Sequence, residues 1–344
     1  MDVCCHTRYT GCIEVRGPSY SNKVVSKEGR MKIAMMGSGG VGGYYGGLLA
    51  RVGHNVTFIP RGAHLAALRT NGLQVKSVHG DFTVAPVQAT GTPAEVGPVD
   101  LVMVCVKTSD TDQAAQAIQP MVGPDTTVMS LQNGIDAAER IGAVVGMEHI
   151  VGGTTWISSA IEAPGVIRQI SQVRRIVLGE LDGRITRRVE ALMEVLKSTG
   201  ATVEVTDNIL KVLWTKFVFI AAISSVGSLT RLEIGDYRSV AETRALLVGL
   251  MREVETVARA NGVMLDADVV EQALALVDNV APNIKPSMQR DVETGRCSEL
   301  ESMIGTIGRK GRELGIPTPT ADMVYAALLP VELKARSRIV PREM

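Results

Sequence analysis

Lys32-Ile33-Ala34-Met35-Met36-Gly37-Ser38-Gly39-Gly40-Val41-Gly42 is an apolar run that passes without a break into a G-x-G-x-x-G turn. Val41 to Val52 continues with helical spacing and small residues on one side, and Asn55 to Ile59 reads as a second strand. The result is one βαβ unit of the length that binds a dinucleotide. Gly37 allows the tight turn, Gly39 lets the backbone approach a pyrophosphate, and Gly42 lets helix and strand pack closely. Ser38, Gly40 and Val41 complete the turn, and the free N–H groups of the helix start suit a phosphate.

The residue that follows the second strand selects the dinucleotide. An acid about 20 positions beyond the glycines would hold both ribose hydroxyls of NAD, whereas an arginine suits the 2′-phosphate of NADP. Here the strand ends Ile59-Pro60-Arg61, and Arg61 can pair with a phosphate in a charge-assisted contact. The expected cofactor is NADP(H).

Outward from this unit the pattern stays α/β. Ala63 to Asn71 has helical spacing, and Leu73 to Val84 reads as a hairpin turning at His79-Gly80-Asp81. Leu101 to Val106 and Thr126 to Leu131 are near-continuous apolar runs, as strands covered on both faces require. Val151 to Ser158, Val166 to Ile170 and Arg175 to Gly179 read as shorter strands extending or edging the same sheet. A helix from Ile185 to Ser198 and a strand from Ala201 to Val205 follow. Beyond Asp207 the spacing turns helical: 208–229, 240–261, 267–280, 298–314 and 320–332. Ser298 and Glu301 form an S-x-x-E capping box at the fourth of these.

The expectation is a Rossmann-type domain with a mostly parallel sheet over 31–206, then an all-α domain over 207–332. Residues 1–30 lack an apolar period and read as a dispensable or non-native tail, with Met31 as an alternative start. Residues 333–344 read as a charged, solvated tail.

Bulk properties narrow the function class. The 344 residues are 45% hydrophobic and 21% charged, ordinary globular values. Lys+Arg and Asp+Glu are both 36, so no basic field recommends nucleic acid or an anionic membrane as a partner. The most apolar long window, Leu210 to Leu229, contains Lys211 and Lys216 and reads as a buried helix rather than a membrane span. Five cysteines without paired spacing fit a reducing cytoplasm, and Cys4, Cys5, His6 and Cys12 are read as no metal site. A small-molecule substrate remains.

Lys216 stands among Leu213, Trp214, Phe217, Val218 and Ile220, so its amine is partly desolvated. Desolvation lowers an amine's pKa toward the range, about 7 to 8, in which it donates a proton efficiently near neutrality. Lys107 and Asn133 follow predicted parallel strands, at the edge where open α/β sheets bind their ligands. Glu299 falls in the first turn of a predicted helix, where a carboxylate is favourable on dipole grounds alone.

Several separated motifs together resemble the ketopantoate reductase family. They are the strand-glycine start, Arg61, Val104-Cys105-Val106-Lys107, Leu131-Gln132-Asn133-Gly134, Leu213-Trp214-Thr215-Lys216, Pro286-Ser287-Met288-Gln289-Arg290-Asp291 and Ser298-Glu299. The resemblance runs from Met31 to about Pro330. It implies NADPH-dependent reduction of a 2-oxo acid, ketopantoate (2-dehydropantoate) to pantoate in pantothenate and coenzyme A biosynthesis, in a cleft between the domains. It also implies that Lys216 protonates the carbonyl oxygen while Glu299 binds substrate and tunes the lysine. Ser287 then takes the substrate carboxylate, Asn133 positions substrate and nicotinamide, and Lys107 lies beside the cofactor. A homodimer is a family-level expectation.

One departure bears on the substrate. The family commonly has asparagines four and eight residues beyond the lysine; here Ile220 and Ser224 stand there. Ser224 keeps a hydroxyl for the substrate, and Ile220 cannot hydrogen-bond. Loss of a polar partner costs about 1–3 kcal/mol where a buried group goes unpaired. This leaves two alternatives to ketopantoate reduction: reduction of another branched or aromatic 2-oxo acid, and non-catalytic NADP binding.

Overall fold

A computed structural model describes residues 30–337. The expectations for residues 1–29, with Cys4, Cys5, His6 and Cys12, and for 338–344 lie outside the described residues. The strands are β1 (Lys32–Met36), β2 (Asn55–Ile59), β3 (Leu73–Ser77), β4 (Phe82–Val84), β5 (Gln88–Ala89), β6 (Leu101–Val104), β7 (Thr127–Ser130), β8 (Ile150–Trp156), β9 (Ser159–Ala163), β10 (Val166–Gln169), β11 (Arg175–Gly179) and β12 (Thr202–Val205). Interleaved with them are α1 (Gly40–Arg51), α2 (Gly62–Asn71), α3 (Thr111–Ile118), α4 (Ala137–Val145) and α5 (Arg187–Lys197). From Ile209 onward the elements are helical: α6 (Ile209–Thr230), α7 (Ile234–Ser239), α8 (Ala241–Ala260), α9 (Val269–Asn279), α10 (Ser287–Glu293), α11 (Thr306–Leu314) and α12 (Pro319–Ser337).

The main sheet has the order β12-β11-β8-β7-β6-β1-β2-β5. Its pairs are parallel apart from β11 against β8. Strands β1, β6 and β7 bury both faces, which explains their continuous apolar text. The fold is therefore the expected α/β half with a mostly parallel sheet, followed by an all-α half.

One expectation about the sheet is corrected. Strands β8 and β11 do extend it, but the stretch around Val166 to Ile170 does not. There β10 pairs in parallel with β3 and antiparallel with β9, in a separate sheet of order β4-β3-β10-β9. Helix α1 makes this possible because it is packed on two sides. A Cβ on Gly46 would lie 2.7 Å from Phe58 of the main sheet, and one on Gly43 would lie 2.7 Å from Ile167 of the second. Only a helix lacking side chains on both flanks fits between them.

In the helical half, α6 is the central element, packed by α8, α9, α10 and α12 and also touching β8 and β11. Among the described residues it is the one helix long and apolar enough to cross a bilayer. Its Phe217, Val218, Ala221, Ala222 and Val226 are instead buried in the helical core. The helix expected from Ser298 begins with a π-turn at Glu301–Gly305, and the capping box is absent. Glu301 pairs with Arg309, while Ser298 is held by Glu332. Helix α12 continues to Ser337, into the stretch expected as a tail.

Strands β8 and β11 are tied to α5 by a buried ion pair. Arg188 Nε donates to Glu180 Oε1 at 2.7 Å and Nη2 to Oε2 at 2.6 Å, with Nη2 also 3.2 Å from Ile150 O. Removing one partner leaves an uncompensated buried charge. Arg188→Ala is expected to cost about 3–5 kcal/mol in urea unfolding, and a loss under about 1 kcal/mol would contradict this reading.

Candidate active site

The chain beyond β7 and the end of β8 meet the N-terminal half of α6, and the chain after β6 meets α10 and the stretch that follows it. Lys216 Nζ donates to Asn133 Oδ1 at 3.0 Å, Thr154 Oγ1 at 3.1 Å and Thr155 O at 2.8 Å. An ammonium has three N–H donors, so all of them are engaged. The Trp156 ring lies 5.4 Å from the same nitrogen, with the Arg175 guanidinium 4.6 Å from that ring. Burial drives the Lys216 pKa down to about 8, and the Glu299 carboxylate opposes the shift.

Glu299 lies on the same side of the cleft, two residues ahead of the π-turn rather than within a helix. Its Oε1 accepts from the Thr108 backbone N–H at 3.3 Å. Burial raises its pKa, opposed by Thr108, by Asn133 and by the charge of Lys107. Lys107 spans the two halves: its Nζ donates to Asp291 at 2.9 Å and to Cys297 O at 3.0 Å. Ser224 is buried two turns beyond Lys216, and Ser287 is exposed at the start of α10. Among the described residues neither serine hydrogen-bonds to Lys216, Asn133 or Glu299.

The glycine turn fits a dinucleotide. Gly37 has φ of +92°, and a Cβ there would meet Val106 N at 2.6 Å. A Cβ on Gly42 would sit 2.0 Å from Gly37 O, so helix and turn are in direct contact. A Cβ on Gly39 meets nothing within 4 Å, so the space above it is open. Among the described residues Ser38 Oγ is buried without a partner, and α1 starts with no side-chain cap and no acid in its first turn. These are the features of an anion cradle. The turn is braced from behind by His64, whose Nδ1 accepts from Gly165 N–H at 2.9 Å. That assigns the proton to Nε2, which donates to Ser38 O at 2.9 Å. Arg61 is exposed, and its guanidinium donates to Gln113 Oε1 at 3.0 Å and Asp110 Oδ2 at 3.3 Å. A bound 2′-phosphate would compete with Asp110 for it.

Sequence reasoning missed Thr154, Thr155, Thr108 and Asp291 as partners of the site. Thr155 and Thr108 act through the backbone, which leaves no mark in side-chain identity. Thr154 had a signal in retrospect: it is one of two adjacent buried hydroxyls in an otherwise apolar strand.

The family model described as "Ketopantoate reductase PanE/ApbA" matches residues 33–183, and that of its C-terminal domain matches 208–332. The chain belongs to the ketopantoate reductase family. A 2-dehydropantoate 2-reductase of Mesorhizobium japonicum is 29% identical over 317 residues, 86% of this chain and 96% of that one. An uncharacterised oxidoreductase of Bacillus subtilis is 30% identical over 298 residues, 87% and 98% of the two chains. Among solved structures, the 2-dehydropantoate 2-reductase of Geobacter metallireducens superposes with a TM-score of 0.82 at 33% identity, covering 87% of this chain and 99% of that one. A D-mandelate dehydrogenase solved with NADH and anilino(oxo)acetate gives 0.81 at 25% identity, covering 90% and 100%. The protein is thus an oxidoreductase of a pyridine-nucleotide family.

The two glycines that differ in their surroundings separate binding from folding. Gly39→Ala is expected to keep the wild-type Tm while weakening dinucleotide binding at least ~tenfold, about 1.4 kcal/mol by titration calorimetry. Gly42→Ala is expected to lower Tm, because a backbone oxygen blocks its Cβ. The reverse pattern would contradict the geometry.

Proposed function

We propose that this protein reduces a 2-oxo acid to the 2-hydroxy acid with NADPH, and that ketopantoate, reduced to pantoate for pantothenate and coenzyme A synthesis, is its substrate. The observation that carries the proposal is the half-buried Lys216 ammonium, with its pKa lowered to about 8, at the ligand-binding edge of a dinucleotide sheet. Gly37, Ser38, Gly39, Gly40, Val41 and Gly42 would hold the pyrophosphate, with Arg61 on the 2′-phosphate and Lys107 beside the cofactor.

When bound, the nicotinamide supplies a hydride to the carbonyl carbon. As that bond forms, the carbonyl π pair moves to oxygen and takes a proton from Lys216 Nζ. One of the bonds to Asn133, Thr154 and Thr155 has to be released for this. The other two keep the amine aimed while the charge develops. Asn133 is the natural partner to exchange, since its amide can serve lysine and substrate in turn. Glu299 favours the protonated amine before transfer, and Ser287 at the start of α10 would take the substrate carboxylate, with the buried Ser224 as a further hydroxyl for the substrate.

A second reading is favoured by one observation. Ile220, one turn beyond Lys216, is partly buried against the helical core and puts an apolar side chain where the family commonly has an amide. Together with the likeness to an enzyme solved with an aryl oxoacetate, this supports a branched or aromatic 2-oxo acid as substrate.

Lys216→Ala is expected to reduce kcat at least ~100-fold while NADPH binding is nearly kept, as loss of a general acid predicts. In the wild type, kcat/KM should fall as pH rises through about 8, because only the protonated amine can donate. Arg61→Ala should reduce the preference for NADPH over NADH by about tenfold or more, the effect of losing a charged hydrogen bond. Undiminished turnover in the lysine variant would overturn the mechanism, and an unaltered cofactor preference would overturn the role of Arg61.

A further inference from the structure

We propose that Glu332, on α12, is a positioning residue for the active-site Glu299 and acts through Ser298. Its carboxylate is buried, with side-chain exposure of 2%. Oε2 accepts from both Ser298 N at 2.9 Å and Ser298 Oγ at 2.7 Å, while Oε1 accepts from Arg336 Nε at 2.9 Å. A buried carboxylate is costly unless paired and hydrogen-bonded, and this one has both.

The arrangement fixes the residue next door. Ser298 Oγ accepts from Leu300 N at 3.3 Å, so the hydroxyl bridges Glu332 and the backbone on the far side of Glu299. The Glu299 carbonyl is taken by Met303 N at 2.9 Å, and the Cys297 carbonyl by Lys107 Nζ at 3.0 Å. The strap Cys297 to Leu300 is thus fastened on both sides of the one side chain that reaches Thr108 N–H. Glu299 is held on its C-terminal side by the Met303 bond, and Glu332, through Ser298, supplies the hold on its N-terminal side.

A purely structural role would also account for a satisfied buried carboxylate, so the test needs a readout of the site. The inference rests on the reductase reading for the roles of Glu299 and Lys216, and one arm is independent of turnover. The charged groups facing these two are Lys107 with its partner Asp291, and Arg175 across Trp156; Arg336 faces Glu332. Competitive labelling with acetic anhydride against pH, read by mass spectrometry, gives the Lys216 pKa in the protein alone.

Glu299→Gln should lower that pKa by removing a carboxylate that favours the ammonium. Glu332→Ala should lower it too, and reduce kcat about tenfold with KM for NADPH unchanged. Glu332→Gln keeps an oxygen for Ser298 and should restore both. Ser298→Ala, which removes only the hydroxyl bridge, should give an intermediate loss and serves if Glu332→Ala fails to fold. The double variant of Glu332→Ala with Glu299→Gln should match Glu299→Gln alone. A Glu332→Ala protein with lower Tm but wild-type Lys216 pKa, or additive effects in the double variant, would overturn the proposal. Should no 2-oxo acid be reduced by the wild type, the reductase reading fails while the labelling arm still decides this one.

Discussion

The ammonium of Lys216 is bound to three oxygens that all belong to the other half of the molecule. Helix α6 carries the amine, and Asn133, Thr154 and Thr155 at the ends of β7 and β8 receive it. The same contact therefore docks the helical half on the sheet and holds the amine that the proposed reaction would use as its proton donor. Two further links cross the same cleft: Lys107 to Asp291, and Glu299 to the Thr108 N–H. A polar bond made between halves in a partly desolvated cleft is stronger than on an open surface and costs more when broken. Docking and the proposed chemistry would then be coupled in this fold.

The rest of the α/β half serves to hold the strand ends in place. Helix α1 is nearly bare of side chains on two flanks, so it can lie between the main sheet and the second sheet. His64 joins the second sheet to the glycine turn through Gly165 and Ser38, and the turn is set by direct contact between Gly42 and Gly37. On the opposite side, Glu180 and Arg188 bind α5 to the strands that present Thr154 and Thr155. Positions that look like packing details are within one or two contacts of the Lys216 cluster or the glycine turn.

Much of this was readable from the sequence, and the reasons for the misses are physical. Apolar strands buried on both faces announce themselves, as do the glycine turn and a lysine on an apolar helix. Pairing between strands far apart in the chain does not. The partnership of β3 with β10 leaves no local sign, so the sequence of Val166 to Ile170 does not reveal which sheet it joins. The S-x-x-E pattern at Ser298 misled because a distant carboxylate, Glu332, took the serine and left Glu301 to Arg309 and Tyr325. Backbone donors and acceptors such as Thr108 N and Thr155 O have no residue signature at all. Lys216 and Asn133 were legible singly, and their 3.0 Å contact needed the fold.

What the site would accept depends on the groups around that amine. Trp156 lies beside it and Ile220 stands one turn along α6, apolar side chains near the polar set of Asn133, Glu299 and Lys107. A 2-oxo acid matches this division, with its carbonyl and carboxylate on the polar side and its substituent on the apolar side. The most direct measurement is NADPH oxidation by the wild-type protein across a panel of 2-oxo acids that includes ketopantoate and branched and aromatic members, with NADH as comparison. The account predicts oxidation with at least one member and faster turnover with NADPH. Tight NADPH binding with no oxidation by any member of the panel would contradict it.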